Sequence, residues 1–244
     1  MKVCALIPFY NHPEAISFVV DQLLAFDLNI IIVDDGSDDE SKKTLAPLAK
    51  LPKVTLVTHE INGGKGVAVI SGMREALTQG YSHVLQVDAD GQHDLSKLPD
   101  LLSLSKNFPD KIISGMPIYD GTVPSNRKLW RYATHILVWI HTLSLEIRDS
   151  MCGFRVYPLE KTLAVIDSVK VFGQRMDFDI EILVRSYWNE LHIMQLPVRV
   201  RYPLDGVSHF QLINDNFLIT KLHIRLFFGM LLISPKLLLR KVVF

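Results

Sequence analysis

Four polar clusters, each set directly behind a short run of β-branched and apolar residues, constrain this chain more than any other feature. Asn11 and His12 follow the run at Val3–Ile7, and Asp34–Asp38 follows Ile30–Val33. Asn62–Lys65 comes after Val54–Thr58, and Asp88–His93 after Val84–Val87, with a fifth run at Lys111–Ser114. Segments of helical period, such as Ala15–Ala25 and Val67–Gln79, separate these runs. That is the βαβ pattern of a mostly parallel α/β sheet with helices on both faces. The C-terminal strand ends of such a sheet share one edge, and ligands bind in the crevice there. The four clusters are therefore expected to converge on one site.

From about Lys128 the alternation gives way to a helix near Leu129–Leu145, a glycine-containing loop, a helix at Phe178–Trp188 and a strand near Ile193–Val200. The division expected is one α/β domain over residues 1–210 and a helical tail over 211–244. The 26 Lys and Arg residues balance 26 Asp and Glu, so there is no electrostatic footprint for nucleic acid, and no such partner is expected. No acidic residue follows Asp215, whereas Lys221, Arg225, Lys236, Arg240 and Lys241 do. Their spacing among apolar residues predicts a basic amphipathic helix lying on a membrane surface.

Two cysteines, Cys4 and Cys152, form neither a disulfide framework nor a metal spacing, which reads as a reducing, cytoplasmic compartment. The apolar stretch after Lys2 is shorter than the roughly 7–15 residues of a signal-peptide core. The run Leu226–Ile233 is far short of the roughly 20 residues that cross a bilayer as a helix, so no membrane span is expected.

The string Asp88–His93, DADGQH, carries the most chemistry. Carboxylates two apart at a strand end, with the Gln92 amide beyond, offer hard oxygen ligands to Mg²⁺ or Mn²⁺. The plainer reading is an exposed Asx turn helped by Gly91. In Val33–Ser41, Asp35 is placed to hydrogen-bond a ribose or a base N–H, while Asp38, Asp39 and Glu40 suit the start of a helix. Asn62–Gly66, NGGKG, lacks the spacing and the hydroxyl residue of a phosphate loop, yet Lys65 in a glycine turn at a helix start fits beside a diphosphate. The first strand lacks G-x-G-x-x-G, which disfavours a dehydrogenase. In Asp149–Tyr157, DSMCGFRVY, a turn presents Arg155 either to an anion or to its own loop. Asp177, Asp179 and Glu181 follow, and one of them is expected to face the crevice. His135, His141, His192 and His223 read as packing or surface residues.

With PFYN, VDDGSDD, NGGKG, DADGQH and DSMCGFRVY in that order, the chain resembles glycosyltransferase family 2 from Val3 to about Phe210. Within it the likeness is to the polyprenyl-phosphate sugar synthases. The resemblance implies a GT-A fold, Mg²⁺ or Mn²⁺, a UDP- or GDP-linked sugar donor and inversion at the anomeric centre. It places Pro8, Tyr10, Val33 and Asp35 about the nucleoside, Asp88 and Ala89 in the donor site, and Asp90 with Gln92 on the metal, while Asn11 and Lys65 are donor-site candidates by their position behind the strands. Arg127, Arg155 and His209 are candidate acceptor or phosphate contacts. The chain departs from the family pattern at His12, where a glutamate is usual, at Gly115–Pro117, where Gly-x-Arg is usual, and at Pro203 and His209, where basic residues are usual.

DSMCGFRVYPL and the tail also look like the glycosyltransferases of bacterial aryl polyene synthesis, whose acceptor would be a lipid or pigment hydroxyl. A phosphate acceptor needs no base, whereas a hydroxyl does, and Asp179 is the candidate base. The expected enzyme is thus a transferase to a lipid-type acceptor, peripheral at the inner face of the cytoplasmic membrane, with self-association left open. The alternatives are a non-catalytic sugar-nucleotide-binding scaffold and a nucleotidylyltransferase, though the latter needs a glycine-rich first loop that PFYNHPE does not provide.

Overall fold

The computed structural model describes residues 1–118, 125–199 and 212–243. The first half alternates as expected: β1 (Val3–Phe9), α1 (Pro13–Ala25), β2 (Ile30–Asp34), α2 (Asp39–Leu48), β3 (Val54–Thr58), α3 (Lys65–Thr78) and β4 (His83–Gln86). Then come α4 (Leu98–Asn107), β5 (Ile112–Ile118), α5 (Ser125–Thr142), β6 (Arg155–Pro158), α6 (Leu159–Asp167), α7 (Phe178–Trp188), β7 (Ile193–Arg199) and α8 (Leu212–Val243). Together the strands form one seven-stranded sheet in the order β3-β2-β1-β4-β6-β5-β7.

Side chains alternate across each strand, so adjacent residues enter opposite cores. Leu6, Ile31 and Val84 join Met73, Phe178 and Leu226 on one face. Ile7, Ile32 and Leu85 join Ile16, Leu23 and Leu98 on the other. Both faces are covered, as near-continuous apolar strands require. Asp38 caps α2 by accepting from Ser41 N at 2.8 Å, which is the helix-start role expected of it.

The segment read as a turn at Arg155 is instead the start of β6, which runs antiparallel to both β4 and β5. Only four residues long, RVYP is too short to show a strand period. Its alternation puts Val156 in one core and the fully buried Arg155 and Tyr157 on the opposite face.

The tail also differs from expectation. α8 buries Leu222, Leu226, Met230 and Leu237 against the domain, and Arg225 and Arg240 turn inward while Lys221 and Lys236 stay exposed. Arg225 pairs with Glu181 at 2.5 Å. Arg240 donates to the Tyr187 and Trp188 carbonyls at 3.1 and 2.9 Å, satisfying the C-terminal end of α7. The outward face is apolar, with Phe217, Phe228, Leu232 and Leu239 exposed. α8 is thus an apolar helix docked through its charges, and not a basic amphipathic one. Its 26-residue stretch Asp215–Arg240 is long and apolar enough to cross a membrane, which the short run Leu226–Ile233 concealed.

His141 and His223 join α5 to α8, with Nε2 and Nδ1 3.0 Å apart and the rings stacked. Burial lowers both to about 4, so they pack as neutral rings, consistent with the packing role expected of them. Leu226→Ala should therefore cost about 2–5 kcal/mol in urea unfolding, while Ile224→Ala on the outer face should stay within about 0.5 kcal/mol. Equal losses would contradict a docked α8.

Candidate active site

The loops after β1, β2, β3 and β4 meet at the C-terminal edge of the sheet, as anticipated. Asn11, in the left-handed region at φ 49°, ties the first loop to the second. Its Oδ1 accepts from Asp38 N at 3.0 Å and its N–H donates to Ser37 Oγ at 3.2 Å. Asp34 accepts from Ser37 N at 3.0 Å, closing the turn.

Asp35 ties the second loop to the third. It is buried, with Oδ1 accepting from Gly63 N at 3.0 Å and Oδ2 from Gly64 N at 2.7 Å. Oδ1 also meets His59 Nδ1 at 2.7 Å, and His59 Nε2 lies 3.0 Å from Ser71 Oγ. His59 was not foreseen, although its position immediately after β3 is the same placement that singled out the other clusters. Gly36, at φ 73°, lets the second loop touch the third, since a Cβ there would lie 2.7 Å from Asn62 N. Pro8 and Val33 face each other in register on β1 and β2. The Val33 side chain is fully buried in the core, which leaves only its backbone at this edge. Tyr10 is half-buried and Ala89 buried at the same edge.

At the centre of the site Lys65 Nζ lies 2.8 Å from Asp88 Oδ1 and 2.9 Å from Asp179 Oδ2. Burial works against the ammonium charge, but the carboxylates of Asp179 and Asp88 outweigh it and hold its pKa above the usual lysine range. For Asp88, burial pushes the pKa up. The charge of Lys65 and the bond from His93, 3.3 Å from Oδ2, override that and hold the carboxyl well below the usual range. Gly153 backs onto Asp88 so closely that a Cβ would lie 2.5 Å from Oδ2.

Arg155 does not face an anion in the crevice. It is fully buried, donating to Tyr157 Oη at 3.1 Å, Asp179 O at 2.9 Å and Ser150 O at 2.9 Å. Of the two roles open to it, fixing its own loop is the one seen, and its Nη1 also stands 3.7 Å from Asp179 Oδ1. Behind it Asp149 accepts both Arg131 Nε and Nη2 at 2.7 Å and the amides of Met151 and Cys152 at 3.0 and 2.8 Å. These bonds moor the loop carrying Gly153 to α5. Of the remaining site residues, Arg127 has its side chain, and His209 the whole residue, outside the described residues.

Asp90 and Gln92 stand half-buried at the rim. Asp90 Oδ1 accepts from Gln92 N at 3.0 Å, an Asx turn with Gly91 at φ 69°. Among the described residues no group of three or more His, Cys, Asp or Glu side chains could hold a metal alone. The carboxylate of Asp90 and the amide oxygen of Gln92 are nonetheless the hard ligands that Mg²⁺ or Mn²⁺ takes, and both ions complete their shells with water or phosphate oxygens. The rim fits half of such a site, with the rest left to a ligand.

Residues 4–168 match the family model for glycosyl transferase family 2. The undecaprenyl-phosphate mannosyltransferase of Micrococcus luteus is 28% identical over 204 residues, covering 81% of this chain and 83% of that one. Human dolichyl-phosphate beta-glucosyltransferase is 27% identical over 224 residues, covering 81% and 66%. The crystal structure of glucosyl-3-phosphoglycerate synthase from Mycobacterium tuberculosis in complex with Mn²⁺ and UDP-glucose superposes with a TM-score of 0.67. It is 15% identical and covers 94% of this chain and 78% of that one. The fold is therefore the GT-A-like one expected. With the matched segment running from β1 through the Asp88 loop and the moored Gly153 turn to α6, the chain belongs to glycosyltransferase family 2 and is a glycosyltransferase.

Proposed function

We propose that the chain moves a sugar from a nucleotide diphosphate donor to a lipid-linked phosphate, with inversion at the anomeric carbon. The observation that carries this choice of acceptor is the setting of Asp179. Its carboxylate is buried between Lys65 at 2.9 Å and Arg155 at 3.7 Å. Its oxygens are turned to those two cations, whereas a general base must stand within hydrogen-bond reach of the hydroxyl it deprotonates. A phosphate oxygen is already anionic and attacks the anomeric carbon directly, forming the new C–O bond as the bond to the nucleoside diphosphate breaks. The relatives named for undecaprenyl and dolichyl phosphate support the same reading.

In this reading the edge built by Pro8, Tyr10, Asn11, Val33 and Asp35 takes the nucleoside. Lys65, Asp88 and Ala89 face the diphosphate and sugar, and Arg127 and His209 meet the acceptor phosphate. Asp90 and Gln92 would hold Mg²⁺ or Mn²⁺, which supplies Lewis-acid neutralisation of the departing diphosphate. Given UDP- or GDP-linked sugars, wild-type protein should glycosylate a polyprenyl phosphate and leave the matching polyprenol untouched. Asp179→Asn should retain transfer to within about tenfold, whereas loss of a general base costs about 10²–10⁴. Transfer to the polyprenol, abolished by Asp179→Asn, would restore Asp179 as the base and overturn the phosphate acceptor.

We place the enzyme at the cytoplasmic face of a membrane. Supporting this, α5 and α8 turn Tyr132, Ile136, Ile140, Phe228, Leu232 and Leu239 outward. A groove of about 340 Å³ beside them is lined by Ile136, Trp139, Ile140, Leu143, Ser144 and Leu145. Exposed apolar area of this kind binds interfaces by burial. Arg225 and Arg240 are committed to the domain, which leaves Lys221 and Lys236 exposed on the described part of α8 and apolar burial as the larger contribution. Wild-type protein should float with lipid vesicles equally at about 0.1 and 1 M salt, conditions that strongly differ in screening. Phe228→Asp with Leu232→Asp should stay in the dense fraction, and unchanged flotation of that variant would sink the placement.

A further inference from the structure

The glycine turn that presents Lys65 rests on a floor formed by the backbone of Gly173–Arg175. Val67 N donates to Gln174 O at 3.2 Å. A Cβ on Gly64 would lie 2.6 Å from that same oxygen, and one on Gly66 would overlap the Gly173 carbonyl. No side chain fits between floor and turn, so a shift of one must move the other.

The floor is held from outside the family motifs. Gly173 N donates to Glu181 Oε2 at 2.7 Å. Glu181 is fully buried and carries two cations, Arg185 Nε on Oε1 and Arg225 Nη2 on Oε2, each at 2.5 Å. Arg185 shares α7 with Glu181, but Arg225 comes from α8. A second arm runs from Arg175, whose Nε stands 3.4 Å from the buried Asp215 of α8 and whose Nη1 is 3.5 Å from Asn62 Oδ1. α8 thus grips the floor at two points, and one of them reaches the glycine turn itself.

We propose that Arg225 is a positioning residue for the donor site. By holding Glu181 it fixes the Gly173–Arg175 floor, and through the floor it fixes the turn Asn62–Gly64 and the direction of Lys65. The tail helix is then part of the machinery that recognises a nucleoside diphosphate as well as a surface for lipid. This inference rests on the donor reading given above and extends it to a helix that carries no donor ligand.

The test is amide hydrogen exchange on the full chain, paired with calorimetry of UDP- and GDP-sugars in the presence of Mn²⁺. Arg225→Met keeps the aliphatic stem and leaves Glu181 paired with Arg185. In this variant the amides of residues 63–68 should exchange about tenfold faster and donor affinity should fall about 3- to 10-fold, the size of coupling carried by packed networks. Amides of β1 and β2 should not change. Arg225→Lys should recover most of the affinity, and Lys236→Ala, on the same helix but paired with Glu190, should behave as wild type. Wild-type exchange at residues 63–68 in Arg225→Met would overturn the proposal. Should that variant fail to fold, Arg225→Gln, which keeps a polar head but places no charge on Glu181, must speed the same amides, and unchanged rates there would overturn it equally. If wild-type protein binds neither sugar nucleotide, the donor reading fails, while the exchange rates still decide whether α8 holds the turn.

Discussion

A single half-buried ammonium organises the site. Lys65 stands between Asp88 and Asp179, within 2.9 Å of both, and so joins the start of α3 to the end of β4 and the start of α7. Crowding three charges into this partly enclosed edge is tolerable only because each has an opposite partner. Removing Lys65, the shared cation, would leave both carboxylates without it, at a cost of up to about 3–5 kcal/mol. Arg155 and His93 complete the balance around the two carboxylates. Everything that fixes Lys65 therefore bears on the chemistry: the glycines that let its turn pack, the Asp35 carboxylate that holds that turn, and the floor beneath it.

The same balance assigns labour among the acidic residues. Asp88 and Asp179 both pair with the Lys65 ammonium, Asp179 from a buried position and Asp88 from a half-buried one at the strand end. Asp90 stands at the rim with one oxygen spent on its own turn. In the proposed donor reading a diphosphate at this edge would meet the Lys65 ammonium, and Asp90 would hold the divalent ion that neutralises the leaving group. The intact rim and the paired centre are those of a working transferase and give no ground to the scaffold reading.

Most of this was legible in the sequence because it depends on local period and on strand ends. The runs at Val3, Ile30, Val54 and Val84 are long enough to show as strands, and the polar residues behind them had to share an edge. β6 was not legible, because four residues with an arginine and a tyrosine on the covered face look like a turn. Nor could spacing tell whether Arg155 met a ligand or its own loop, since that depends on the antiparallel insertion of β6 between β4 and β5. The tail misled for a related reason. Arg225 and Arg240 fall at helical spacing that reads as a basic face, but their partners, Glu181 and the end of α7, lie at least 44 residues away in the chain. Which way a charged helix face turns is decided by tertiary partners that periodicity does not contain.

Calorimetry of sugar nucleotides with and without Mn²⁺, on wild-type protein and Asp90→Asn, tests the central claim most directly. The account predicts tight binding of one nucleotide class that requires the metal and is lost when Asp90 loses its charge. Binding that ignores both the metal and the substitution, or no binding of either class, would contradict it.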